Sequence, residues 1–155
     1  MKYTRLTKEQ LEELHMEFSR FLAAQSITAQ EWEAIKRDKP EVAEQELDVF
    51  SDLVWEGVLK AAKFLEHRSN GQLFLFELDT SEIHLIAIRV TNPSVDLTTS
   101  TGLDWLGQNL GKEEVQVYRS TKTYGEDPHA DVFDLIQKGA VLTSGELYKQ
   151  LKGIL

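Results

Sequence analysis

Apolar residues recur at helical spacing in the first third of the chain, at strand spacing in the middle, and in alternation of the two towards the end. Thr7-Lys8-Glu9-Gln10 reads as a capping box, in which Gln10 reaches back to the amide of the cap. Leu11, Leu14, Phe18, Phe21 and Leu22 then fall on one face, so a helix is expected to about Ala24. Thr28-Ala29-Gln30-Glu31 repeats the signal and opens a short helix with Trp32 and Ile35 inward, ended by the polar run from Lys36 to Lys39. Pro40 has no amide to leave unpaired and suits the first turn of the longest helix, about 40 to 61. Its stripe is Val42, Ala43, Leu47, Phe50, Val54 and Val58, broadened by Leu53 and Leu59.

The period then changes to 2. Lys63–Arg68, Gln72–Asp79 and Glu82–Val90 read as three strands. Asn70-Gly71 between the first two suggests a type I′ turn, and Thr80-Ser81 a second tight turn. Loops of two residues at both places set His67 opposite Phe74, Leu65 opposite Phe76, Phe76 opposite Leu85, Leu75 opposite Ile86 and Glu77 opposite His84. One face then holds Leu65, Phe74, Phe76, Leu78, Ile83 and Leu85, and the other Phe64, Leu73, Leu75, Ile86 and Ile88. An antiparallel sheet with one wet face would alternate, so cover is expected on both sides. A helix over Ser100–Leu110 ends at Gly111, a strand spans Glu114–Arg119, and a helix opens at Asp127-Pro128 and stops at Gly139. Val141-Leu142 is extended, and Thr143-Ser144-Gly145-Glu146 reads as a third capping box before a last helix with Leu147 and Leu151 inward. Ser120 to Glu126 is expected to be the longest irregular stretch. The reading is a single α+β domain over residues 1–155: N-terminal helices, then a three-stranded antiparallel meander extended by a fourth strand, with helices packed on the sheet. The element order is α-α-α-β-β-β-α-β-α-α.

Composition narrows the chemistry. The 155 residues include no Cys, which excludes a disulfide framework, zinc ribbons, iron–sulfur clusters and a thiol nucleophile. The N-terminus lacks the apolar run of a secretory signal, and no stretch approaches the ~20 apolar residues of a membrane span. A cytoplasmic protein is the expectation. The net charge is -9 and evenly spread: residues 1–60 carry 13 acidic and 8 basic side chains, residues 61–155 carry 13 and 9. With no basic run to neutralise phosphates, neither nucleic acid nor an anionic membrane is an expected partner.

The candidate chemistry is sparse, and each candidate has a plainer structural reading. Gly102 to Gly107 has the glycine spacing of a phosphate loop, but Gln108-Asn109 stand where Lys and Ser/Thr are required. Asp127, His129 and Asp131 could hold a divalent cation, or could simply cap a helix and complement its dipole. Glu77, Asp79 and His84 should gather with Glu82 at the second turn, where they could serve acid–base or metal-assisted hydrolysis, or form a cross-strand ion pair. His15 and His67 read as core-edge side chains, and Trp32, Trp55 and Trp105 as core or core-edge. No cofactor is indicated.

The most distinctive feature is on the long helix. Glu41, Glu44, Asp48, Asp52 and Glu56 follow at steps of three, four, four and four, making a continuous acidic ridge. Like charges at i,i+4 cost roughly 0.2–0.5 kcal/mol per pair. The ridge thus carries about 1 kcal/mol of repulsion, which a basic partner, or Lys and Arg from elsewhere in the fold, would relieve. The two readings are a docking face for a basic protein and a solvated face of an acidic one. A small-ligand pocket between sheet and helices is a third possibility for function. The oligomeric state is not legible.

Two resemblances accompany these residues. The order of helix, three antiparallel strands, helix and strand over 40–119 resembles the core of the PD-(D/E)xK nucleases. In that family a strand-two Asp and a strand-three carboxylate hold Mg²⁺ beside a Lys. Here Asp79 ends its strand, and Ala87-Ile88-Arg89 stands where carboxylate, any residue and Lys belong, so the resemblance implies at most a degenerate relative. The stretches Leu6–His15, Ser26–Trp32, Lys39–Gly57 and Gly139–Tyr148 resemble a family of small acidic bacterial proteins that is a domain of unknown function. That resemblance covers nearly the whole chain and implies no activity or catalytic residue.

Overall fold

The structure is a computed structural model that describes residues 1–155. The chain divides into two compact units, residues 1–60 and 61–155. The first is helical: α1 (Lys8–Glu13), α2 (His15–Ala24), α3 (Ala29–Asp38) and α4 (Pro40–Ala61, whose last residue falls in the second unit). The Thr7 capping box forms in both directions. The expected single helix to Ala24 breaks at Leu14, whose φ of -98° and ψ of 21° are not helical. His15 is exposed rather than at the core edge; its Nδ1 lies 3.0 Å from the carbonyl of Glu12, at the end of α1.

Aromatic rings fill this unit. Phe18 meets Trp32 edge-on at 5.2 Å and Phe50 at 5.0 Å, and Phe21 meets Phe50 at 5.4 Å. Such pairs contribute about 0.5–1.5 kcal/mol beyond area burial. The buried arc of α4 contains Ala43, Phe50 and Ser51. Leu53 was expected to broaden that stripe, yet it is 56% exposed, as is Val49 at 52%. At 100° per residue both sit on the side of Phe50 opposite to Ser51. Burial has rotated towards Ser51, where the N-terminal residues lie.

The second unit is a five-stranded antiparallel sheet with helices on its faces. It comprises β1 (Phe64–Arg68), β2 (Gln72–Leu78), β3 (Glu82–Val90), α5 (Ser100–Asn109), β4 (Val115–Thr123), α6 (Pro128–Gln137), β5 (Val141–Leu142) and α7 (Glu146–Ile154). The strand order is β4-β3-β2-β1-β5. All five predicted strand pairings occur, including Glu77 opposite His84 and Leu75 opposite Ile86. The face bearing Leu73, Leu75, Ile86 and Ile88 forms one core with Leu106 of α5 and with Tyr148 and Leu151 of α7. α6 lies on the other face, where Leu135 borders Phe76, Ile83 and Leu85.

Three local expectations are corrected and one, the extended Val141-Leu142, is borne out and gains a partner. Asn70-Gly71 is a two-residue turn, closed by Ser69 N–H to Gln72 O at 2.9 Å, but neither residue has the positive φ of type I′. Their carbonyls accept from Leu97 and Val90, both at 2.9 Å, so tertiary pairing orients these peptides. Ser120 to Thr123 are not irregular; they continue β4 against Glu82–Leu85. Val141-Leu142 joins the sheet beside β1. The capping box at Thr143 does not form: α7 starts after Gly145, whose φ is 82°, with Phe64 ring atoms 2.4 Å from where a Cβ would stand.

Gly102 explains the glycine spacing that resembles a phosphate loop. It lies inside α5, and a Cβ there would stand 1.8 Å from the carbonyl oxygen of Asp96. In an exposed helix Gly→Ala gains about 1 kcal/mol. Here Gly102→Ala should instead destabilise clearly, because the obstacle is backbone; urea unfolding measures the sign.

Candidate functional site

The acidic ridge forms as read, and the structure shows what lies against it. Residues 2–6 run along α4 as a strap. The amides of Lys2 and Tyr3 donate to the two oxygens of Asp52 at 2.7 and 2.9 Å. Lys2 Nζ reaches Glu56 at 3.1 Å, and the Tyr3 hydroxyl donates to Glu56 at 2.6 Å. Arg5 bridges two carboxylates, with Nε on Asp48 at 2.8 Å and Nη1 on Glu44. Trp55 Nε1 donates to the carbonyl of Thr4 at 3.1 Å. The strap ends at Leu6, itself buried, whose amide donates to Ser51 Oγ at 3.1 Å. Ser51 is fully buried, and its hydroxyl donates in turn to the Leu47 carbonyl at 2.7 Å.

Of the five ridge carboxylates, Glu44, Asp48, Asp52 and Glu56 are thus engaged from within the chain, and Glu41 lies beyond the strap. The repulsion inferred from the spacing is relieved by Lys2 and Arg5. Each of these ion pairs is partly exposed (the Arg5 side chain is 34% and Glu44 59% accessible), so each contributes little singly, on the order of 0–1 kcal/mol. Position comes mainly from the buried Leu6–Ser51 bond and the paired amides on Asp52. Sequence reading missed Tyr3, Thr4 and Ser51 as members of this face. The signals available were two cations three residues apart before the first capping box, and a serine beside an apolar stripe.

The other candidates are placed as follows. His84 Nε2 lies 3.8 Å from Asp79, and its Nδ1 lies 3.0 Å from Thr121 Oγ1. Glu77 faces Lys152 instead, at 3.7 Å. Asp127 caps α6 by accepting from Ala130 N at 3.3 Å, and Asp131 accepts from Gly125 N at 2.7 Å. No three His, Asp or Glu side chains converge as a metal site would need, for Asp127, His129 and Asp131 or for Glu77, Asp79 and His84. Where a nuclease would carry its metal ligand and lysine, β3 presents Ala87 and Arg89.

Two predictions test the strap. Ser51→Ala leaves the Leu6 amide without its buried acceptor and should cost roughly 1–3 kcal/mol in urea unfolding. Burial first, and then the hydrogen bond to Glu56, raise the pKa of Tyr3. A phenol raised in the folded state stabilises fully below about pH 10 and loses that contribution as pH rises through the folded value. Tyr3→Phe should therefore shrink the alkaline loss of stability, read as unfolding free energy at stepped pH.

A family model described as a family of unknown function (DUF6495) matches residues 1–155, and the chain belongs to that family. No curated protein and no solved structure matches it. No helix is long and apolar enough to cross a membrane.

Proposed function

We propose that this member of the family is a non-enzymatic interaction module whose α4 ridge takes an extended basic segment, a place that residues 2–6 hold in the free protein. The observation that carries this reading is the strap itself. Lys2 and Arg5 are about 10 Å apart along an extended chain. Asp48 and Glu56 are about 12 Å apart along a helix. The spacing of cations thus suits the spacing of carboxylates, and Asp52 between them accepts main-chain amides, which any peptide supplies.

The ion pairs between the strap and the ridge are partly exposed and individually weak, so a partner with more cations can compete for the same carboxylates. Charge complementarity of this kind acts mainly on association rate and specificity. A resident strap lowers apparent affinity by the fraction of time the face is open. The alternative of a divalent-metal-dependent hydrolase using Glu77, Asp79 and His84 rests on a single approach among the three, His84 to Asp79.

Calorimetric titration with a Lys/Arg hexapeptide at fixed ionic strength tests the proposal. Lys2→Ala with Arg5→Ala should bind about tenfold more tightly than the wild type. A charge-matched control, Arg89→Ala with Lys112→Ala, should not. Glu44→Gln with Asp48→Asn and Asp52→Asn should abolish binding. A double variant that melts lower but binds no better would make the strap purely structural and overturn the reading.

A further inference from the structure

A second feature lies wholly within residues 61–155 and is independent of the ridge. Beside α7, on the core-forming face of the sheet, is a cleft of about 270 Å³ lined by His84, Leu85, Arg119, Ser120, Thr121, Tyr148 and Lys152. No carboxylate lines it, in a chain that carries 26. We infer that this cleft binds a small phosphate-bearing anion, held chiefly by Arg119 with the Tyr148 hydroxyl as a donor at its floor.

Periodicity brings the donors together. Arg119 pairs with Ile86 and Thr121 with His84, so all four share one face of the β3–β4 ribbon. Leu85 and Ser120 alternate to the other face and border the cleft with main chain. Tyr148 and Lys152 are one turn apart on α7 and project to the same side. The donors come from two strands and a helix packed against them, so they approach the cleft from more than one side. A tetrahedral group with three terminal oxygens can meet them all, whereas a planar carboxylate offers two.

Two observations point to a ligand. Tyr148 is 3% exposed, with its ring 5.8 Å from that of Phe64, yet its hydroxyl has no hydrogen-bond partner in the protein. No buried side-chain oxygen or nitrogen is left unpaired, so this hydroxyl must reach the open space of the cleft. A phenylalanine would fill the packing role equally well. Burial first, and Glu77 second, raise the pKa of Tyr148 against an opposing pull from Arg119, so the phenol is a neutral donor near pH 7. The second observation is Arg119. Arg5, Arg37 and Arg68 are each paired with carboxylates, while Arg20, Arg89 and Arg119 are not, and of these three only Arg119 lines the cleft. A planar, weakly hydrated guanidinium matches phosphate through two parallel N–H bonds. The nearest carboxylates are each paired: Glu77, on the same sheet face as His84, with Lys152 at 3.7 Å and Asp79 with His84 at 3.8 Å. Arg119 is the arginine of the cleft, and it is paired with no carboxylate.

The test is an NMR titration of the full chain with inorganic phosphate, glycerol 3-phosphate and acetate at constant ionic strength. Phosphate should give saturable shifts at Arg119 Nε–H, Thr121 and the Tyr148 ring, with glycerol 3-phosphate tighter if the site takes a monoester. Arg119→Gln should weaken binding about tenfold, the equivalent of one charge-assisted hydrogen bond. Tyr148→Phe should weaken it a few-fold with the melting temperature at pH 7 unchanged, because the ring still packs. Shifts that never saturate, or an unchanged affinity in Arg119→Gln, would overturn the site. Acetate binding as tightly as phosphate would overturn the ligand class.

Discussion

Four side chains at the centre of the sheet, Leu73, Leu75, Ile86 and Ile88, are withdrawn from water almost completely, and residues 61–155 are arranged around them. Each contributes about 1.5–3 kcal/mol by burial. Their neighbours on the opposite face are also apolar, which has a consequence for register. In a sheet with one wet face, a slip of one residue is punished by exposing the core. Here alternation alone punishes it less, and the two-residue turns at 70–71 and 80–81 must hold the pairing. The contacts of the Asn70 and Gly71 carbonyls with Leu97 and Val90 reinforce the first of these turns. Everything built on the ribbon, including the position of Arg119 opposite Ile86, inherits that register.

The sheet was the most legible part of the sequence, because loop length and period 2 together determine which residues face each other. The element order and the two-sided burial followed from the same arithmetic. The break at Leu14 was not legible: the residues on both sides keep helical spacing, and only the backbone shows the interruption. The turn type at Asn70-Gly71 was misread because the signal assumes an isolated hairpin, while this turn is hydrogen-bonded to the segment that follows β3. The extension of β4 through Ser120–Thr123 was missed because an exposed edge strand of Ser, Thr and Lys has no apolar alternation to announce it.

Charge proved legible in pattern and not in partner. The spacing of Glu41, Glu44, Asp48, Asp52 and Glu56 declares a ridge and even the size of its self-repulsion, but nothing in the helix says where the cations come from. They come from residues more than forty positions away in most of the contacts. The cationic cleft was hidden for the converse reason. Its donors are single residues on β3, β4 and α7, and no local run of basic residues marks them. In an acidic chain, an unpaired arginine beside a buried tyrosine is visible only once the strands and α7 are in place.

The strap also has a history in time. Its contacts join residues 2–6 to residues 44–56, across separations of 39 to 54 positions. Chains emerge at about 5–20 residues per second, so residues 2–6 wait roughly 2–10 s before their partners on α4 exist. During that interval Lys2, Tyr3 and Arg5 are without their ridge, and Leu6 without its serine. Residues 2–6 therefore settle only after residues made later than themselves, and completion of α4 is the event that lets them do so.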